Sequence, residues 1–255
     1  MRILKLAAVA SVLFAASSTY AIDINQGQTV SGITVLGATS VYGVFGHPGN
    51  PGGDTGVAEP AVLFQFESSA SNIFSFSTSG AISGCPTCTV TLPPDGAEFI
   101  QYIGNINILA ANGLSGISGT SYQPFTGVFT SEVDPFNGTA PSSLIFDAAN
   151  PSGITPEINQ VFYIGDGHSG YNTLLGDSLF FKAPNNATRL YLGIIDASGN
   201  YGFPGAYGDN TGQFIVDVSL SVAPIPEPET YALMLAGLAM VGAAARRSKN
   251  SGANA

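Results

Sequence analysis

The clearest pattern in the chain runs over residues 213–222, where Phe214, Val216, Val218, Leu220 and Val222 alternate with Gln213, Asp217, Ser219 and Ser221. A period of two puts the first set on one face of a strand and the second on the other, with Ile215 the one exception. Shorter runs of the same kind predict strands over residues 29–36, 39–45, 61–67 and 72–78, and then over 87–92 and 99–103. A looser stretch rich in Gly, Ser and Ile covers 105–123, and further strands are expected at 125–130, 143–146, 160–164, 178–182 and 188–195. Gly, Pro, Asn and Asp clusters punctuate these runs, with no sustained helical period and no internal repeat. The expected fold is all-β: an antiparallel β-sandwich or jelly roll, flanked by an N-terminal signal helix and a short C-terminal hydrophobic helix.

Both ends depart from the strand pattern. Arg2 and Lys5 precede an apolar stretch over 6–16 and then Ser17-Ser18-Thr19-Tyr20-Ala21, the layout of a secretory signal peptide with cleavage after Ala21. At the far end, Pro226-Glu227-Pro228 forms a stiff extended spacer, because proline fixes φ and disfavours helix in the residue before it. Uncharged residues 231–245 follow, and then Arg246, Arg247 and Lys249. As a helix that run rises about 22 Å at ~1.5 Å per residue, which is short for a hydrocarbon core of ~30 Å. The basic end would hold the C-terminus in the cytoplasm and everything upstream outside, so the tail reads as a transient inner-membrane stop.

Those three parts in that order resemble the PEP-CTERM sorting tail, with Pro226, Glu227 and Pro228 matching the name-giving tripeptide. The resemblance implies passage through the secretion machinery and processing near the tripeptide by an exosortase. The mature protein would be a body of residues 22–222 in the cell envelope or outside the cell, ahead of a sorting tail of residues 223–255.

Charge narrows the partners of that body. Between residues 22 and 222 only Lys182 and Arg189 stand against fifteen Asp and Glu, a net −13. Nucleic acid and anionic membrane surfaces are poor partners for such a body, and cations are better ones. The loop over 196–212 supplies oxygen donors for one: Asp196 at a strand end, then Pro204-Gly205-Ala206-Tyr207-Gly208-Asp209-Asn210. Carboxylates, an amide and backbone carbonyls are the hard ligands calcium takes, although the spacing is not that of an EF-hand. The same Asp, Asn and Gly are also what an ordinary hairpin loop needs, should the flanking strands pair.

A second resemblance falls on this loop, on Ala183-Pro184-Asn185-Asn186 and on Tyr42-Gly43 and His47-Pro48. It is to small calcium-dependent, galactose-binding bacterial lectins of jelly-roll type. What it implies is calcium held by Asp196, Asp209 and Asn210 with the carbonyls of Ala206 and Tyr42, and a sugar beside His47. Here Gly202 occupies the place directly before Phe203-Pro204 where the lectins carry Asp, so Asp196 takes that role only across a six-residue insertion. Tyr163 to Gly167 and Tyr207 to Gly212 also resemble elements of other tail-bearing exported proteins.

The only cysteines, Cys85 and Cys88, flank Pro86-Thr87. Behind a signal peptide that spacing favours a short structural disulfide over a redox or zinc half-site. Asp166-Gly167-His168 and Asp95-Gly96 read as turns. His47 and His168 lie beside no nucleophile motif, and no Gly-x-Ser-x-Gly elbow occurs. The expectation is a non-enzymatic exported protein of the cell surface or extracellular matrix. The alternative is a calcium-dependent, lectin-like module that takes an exopolysaccharide or other glycan.

Overall fold

Residues Phe125–Thr130 read Phe-Thr-Gly-Val-Phe-Thr, and every one of them is buried, more than a two-layer sandwich with a solvated outer face requires. The reason is a third layer. The computed structural model describes residues 21–53, 57–84, 91–98, 106–171, 176–222 and 233–241. The chain divides into two compact units, Met1–Val222 and Ala223–Ala255.

In the first unit the strands begin with β1 (Ile22–Asp23), β2 (Gln28–Leu36), β3 (Val62–Gln65), β4 (Asn72–Ser83) and β5 (Ala97–Glu98). They continue with β6 (Ile106–Ile108), β7 (Ile117–Gly119), β8 (Ser121–Tyr122), β9 (Phe125–Thr130) and β10 (Leu144–Phe146). The last five are β11 (Val161–Tyr163), β12 (Phe181–Lys182), β13 (Arg189–Ile194), β14 (Tyr201–Gly202) and β15 (Thr211–Val222). A central sheet runs β1-β3-β13-β9-β11, and two flanking sheets run β12-β4-β15-β2 and β10-β7-β6-β14. β5 and β8 form a separate short ribbon. The longer pairings are antiparallel, as in β15 with β4 and β2, whereas β1/β3, β10/β7 and β14/β6 are short parallel contacts.

Side-chain alternation explains the layers. Phe125 and Phe129 of β9 with Leu190, Leu192 and Ile194 of β13 face Phe74 and Phe76 of β4 and Phe214, Val216, Val218 and Leu220 of β15, making one core. Phe129 sits 5.2 Å from Phe74, and Phe162 of β11 5.4 Å from Phe181 of β12, ring centre to ring centre, so aromatic packing ties the two sheets together. On the other face, Val128 and Tyr191 meet Ile106, Ile108, Ile117 and Phe146 of the small sheet, making a second core. β15 keeps the alternation read from its sequence, except that Val222 at its end is exposed. β2 bulges opposite Val216 and Val218, where Gly32 takes φ 73° and its N–H donates to the Asp217 carboxylate at 2.8 Å.

The strand expected over 39–45 does not form. Thr39 and Ser40 make single bridges to Glu59 and Ile194, and the chain then turns, with Gly43 N–H donating to Ser40 O at 3.0 Å. This segment crosses the central sheet at close range: a Cβ on Gly193 would lie 2.5 Å from Val41 N. Its apolar residues Val41, Tyr42 and Val44 are buried because they fill the second core, not because they alternate across a strand. The region 105–123 yields β6, β7 and β8, whereas the strand expected at 178–182 shortens to β12. Residues 99–103, like most of 87–92 and the expected signal peptide up to Tyr20, lie outside the described residues.

In the second unit a helix spans residues 233–241, with Leu233, Leu235, Leu238, Met240 and Val241 all exposed. Among the described residues no helix is long and apolar enough to cross a membrane. Pro226, Glu227 and Pro228 lie outside the described residues, as do Cys85 and Cys88.

Candidate functional site

β13 lies in the central sheet and β15 in a flanking one, so the strands on either side of the 196–210 loop do not pair as a hairpin. The loop instead crosses between layers and folds back on itself. Gly205 N–H donates to Asp196 O at 3.0 Å, and Asp196 N–H donates to the Tyr207 hydroxyl at 3.1 Å. That hydroxyl in turn donates to Ile194 O at 3.2 Å. Ala206 adopts a left-handed φ of 65° to enter the 3-10 turn Tyr207–Asp209, and this carries Asn210 back over Asp196.

Asp196 and Asn210 therefore meet: Asn210 Nδ2 donates to Asp196 Oδ2 at 2.9 Å, and Ala197 N–H donates to Asp196 Oδ1 at 2.7 Å. Gln123 completes the group, its Nε2 donating to Asp196 Oδ2 and, at 3.0 Å, to Asn210 Oδ1. No motif or periodicity singles Gln123 out. Its signals are structural: full burial, a left-handed φ of 49° and a buried Oε1 with no hydrogen-bond partner among the described residues. Burial pushes the Asp196 carboxyl well above the usual range, against the bonds from Asn210, Ala197 and Gln123, and the nearby Asp209 charge pushes it further. Asp209 itself is exposed.

The remaining expected ligands are placed differently. Tyr42 is fully buried, and its carbonyl accepts a 2.9 Å bond from Asn112 Nδ2. His47 Nε2 lies 2.7 Å from Asp134 Oδ2, and its ring stacks on Phe136 at 4.1 Å. Burial raises the Asp134 carboxyl, but the Phe136 amide and His47 outweigh that and hold it below its ordinary value. Among the described residues no three His, Cys, Asp or Glu side chains gather as a metal-holding group.

A second polar cluster stands where the sequence reads only turns. Asp95 Oδ1 accepts from the Tyr163 hydroxyl at 2.7 Å and from Asp166 N–H at 2.8 Å, while Asp166 Oδ1 accepts from His168 N–H at 2.8 Å. Both aspartates are buried. Burial pushes Asp166 up to about 6, the His168 amide opposes it and the Asp95 charge adds to it. No periodicity marks these residues, because a buried carboxylate in a loop has the same sequence signature as an exposed turn.

An all-β body ahead of a polar proline spacer, an apolar run and a basic end defines a class: exported proteins sorted at a membrane through a C-terminal signal. Residues 224–248 match the PEP-CTERM protein-sorting motif, so the sorting partner is an exosortase. No curated protein matches the chain.

Proposed function

We propose that the body is a non-enzymatic component of the cell surface or extracellular matrix, released or re-attached once an exosortase has cut its tail. The observation that carries this reading is the sorting motif at 224–248, directly behind the folded unit that ends at Val222. The tail would hold the chain in the inner membrane only until it is cut. Mass spectrometry of the secreted and surface fractions should find peptides from the body but none from residues 231–249. An intact tail in those fractions would reduce the signal to a plain anchor.

A second reading is favoured by the Asp196 group: calcium-dependent binding of a glycan. The donors to Asp196 are all neutral, and half a turn of either amide exchanges nitrogen for oxygen in the same volume. Asp196, Asn210 and Gln123 could then turn oxygens toward one cation, with Asp209 and the Ala206 carbonyl on the same turn. Calcium bound there would supply charge to offset the buried carboxylate and open positions for sugar hydroxyls. Thermal unfolding and glycan-array binding with and without chelator test it: no effect of chelator on either removes this reading and leaves the first.

A further inference from the structure

The small flanking sheet has an outer face that the cores do not use. Pairing sets Ile145 of β10 beside Ser118 of β7, Ser118 beside Asn107 of β6, and Asn107 beside Tyr201 of β14. Paired residues project to the same side of a sheet. The alternate residues Ile106, Ile108, Ile117 and Phe146 are buried, so this row of four faces out. Ile145 is 85 % exposed and Tyr201 56 %. Leu109, whose N–H donates to Gly202 O at 2.8 Å, and Phe203 extend the surface along the β6/β14 edge, at 44 % and 55 % exposure. Single exposed apolar residues are ordinary. Four gathered on one sheet face mark a contact surface.

The middle of this face is polar without being charged. Ser118 Oγ donates to the exposed Asn107 at Oδ1, 2.9 Å away, and the Asn107 side-chain amide nitrogen donates no hydrogen bond among the described residues. Charge then selects the occupant. None of the six residues is Asp, Glu, Lys, Arg or His, while the body that carries them has a net −13. An anionic polymer or anionic lipid surface would be repelled by the body, and a second copy would bring two such bodies together. An uncharged polymer with apolar ring faces and many hydroxyls meets neither obstacle. Aromatic and aliphatic side chains supply flat apolar contact, and the Asn107–Ser118 pair supplies hydrogen bonds. The row crosses three strand spacings, about 14 Å at ~4.8 Å each, so it would lie under several sugar rings in line.

We propose that the outer face formed by Ile145, Ser118, Asn107 and Tyr201, with Leu109 and Phe203 at its edge, is a docking surface for a neutral polysaccharide. It acts without calcium and is separate from the Asp196 group. The test is affinity electrophoresis of the full-length chain in native gels containing hydroxyethyl cellulose or a neutral galactomannan, with chelator throughout, so that the outcome does not depend on the calcium reading. The wild-type chain should be retarded in at least one of these gels and not in alginate. Tyr201→Ser and Ile145→Ser, both at exposed positions, should each weaken retardation at least about tenfold with the melting temperature unchanged. The proposal is overturned by free migration in both neutral gels, or by equal retardation of wild type and variants. It is also overturned if size-exclusion chromatography shows a dimer that Ile145→Asp converts to monomer, since the face would then be taken by a second copy.

Discussion

Asn210 donates its side-chain amide to the Asp196 carboxylate, fourteen positions earlier in the chain, at 2.9 Å, and both side chains are buried. Because Asn210 is a donor to a buried carboxyl, Asn210→Ala should destabilise the calcium-free protein by about 1–3 kcal/mol. Asp209→Ala removes an exposed charge that repels Asp196, so it should leave calcium-free stability unchanged or slightly raised. If calcium binds the folded form only, a concentration a hundred times its dissociation constant adds about 2.7 kcal/mol. Melting curves with calcium and with chelator should show this gain in wild type and its loss in both variants. A wild-type curve that calcium does not move removes calcium from the site.

What could be read in the sequence followed from periodicity. β15, β9 and β2 were legible because one or both faces had to be apolar, and Phe214 to Leu220 display that directly. Segment 39–45 carries the same apolar content but serves as a strap laid on the central sheet at Gly193, a distinction that only the close approach of backbone reveals. Within the loop, Asp196 and Asn210 could be named from their chemistry. Gln123 could not, because it reaches them from the β8–β9 connection, far away in the chain, and has no local pattern of its own. The third layer was hidden for a related reason: β6, β7 and β10 are three residues long, too short for alternation to stand out.

Gly165 should be intolerant of a side chain. It has φ +63°, and a Cβ there would lie 2.2 Å from Asp95 Oδ1 and 2.4 Å from the Tyr163 hydroxyl oxygen. Gly165→Ala should therefore add backbone strain of about 1–2 kcal/mol to the loss of a buried hydrogen bond, for a total of about 3 kcal/mol. Gly199→Ala is the comparison, since Gly199 has a similar φ of +67° with nothing within 4 Å of its Cβ. Urea unfolding should show the first variant losing clearly more than the second. Equal losses would mean that the Asp95–Tyr163 bond contributes little.

Cys85 and Cys88 are expected to be joined in the exported protein. Alkylation before and after reduction, followed by peptide mapping, should find no free thiol until reductant is added. Reduction should leave the melting temperature nearly unmoved, because a loop this short removes little entropy from the unfolded chain. Free thiols on both residues in freshly isolated protein would exclude the disulfide.

The buried carboxyls make stability depend on pH in the sense opposite to a salt-bridged acid. Asp166 titrates near 6 in the folded protein and near ~3.9 when unfolded, so the folded state holds its proton over the interval between. The contribution is fully present below about pH 4 and is lost as pH rises through about 6, a change of up to about 3 kcal/mol. Asp95 acts in this direction by repulsion, and His168, with Nδ1 3.9 Å from Asp166 Oδ1, acts against it. Asp196 is shifted upward as well and adds a loss of the same sign. Asp134 and Asp147, both held low, contribute the opposite slope, so wild type alone does not isolate the effect. Asp166→Asn does, since it keeps the size and the acceptor for the His168 amide while removing the charge. Urea midpoints measured from pH 4 to pH 7 should fall less steeply, or rise, in Asp166→Asn relative to wild type, with the two curves converging at the acid end. A difference between them that does not change over this range would mean that Asp166 is ionised throughout and finds its compensation elsewhere in the loop.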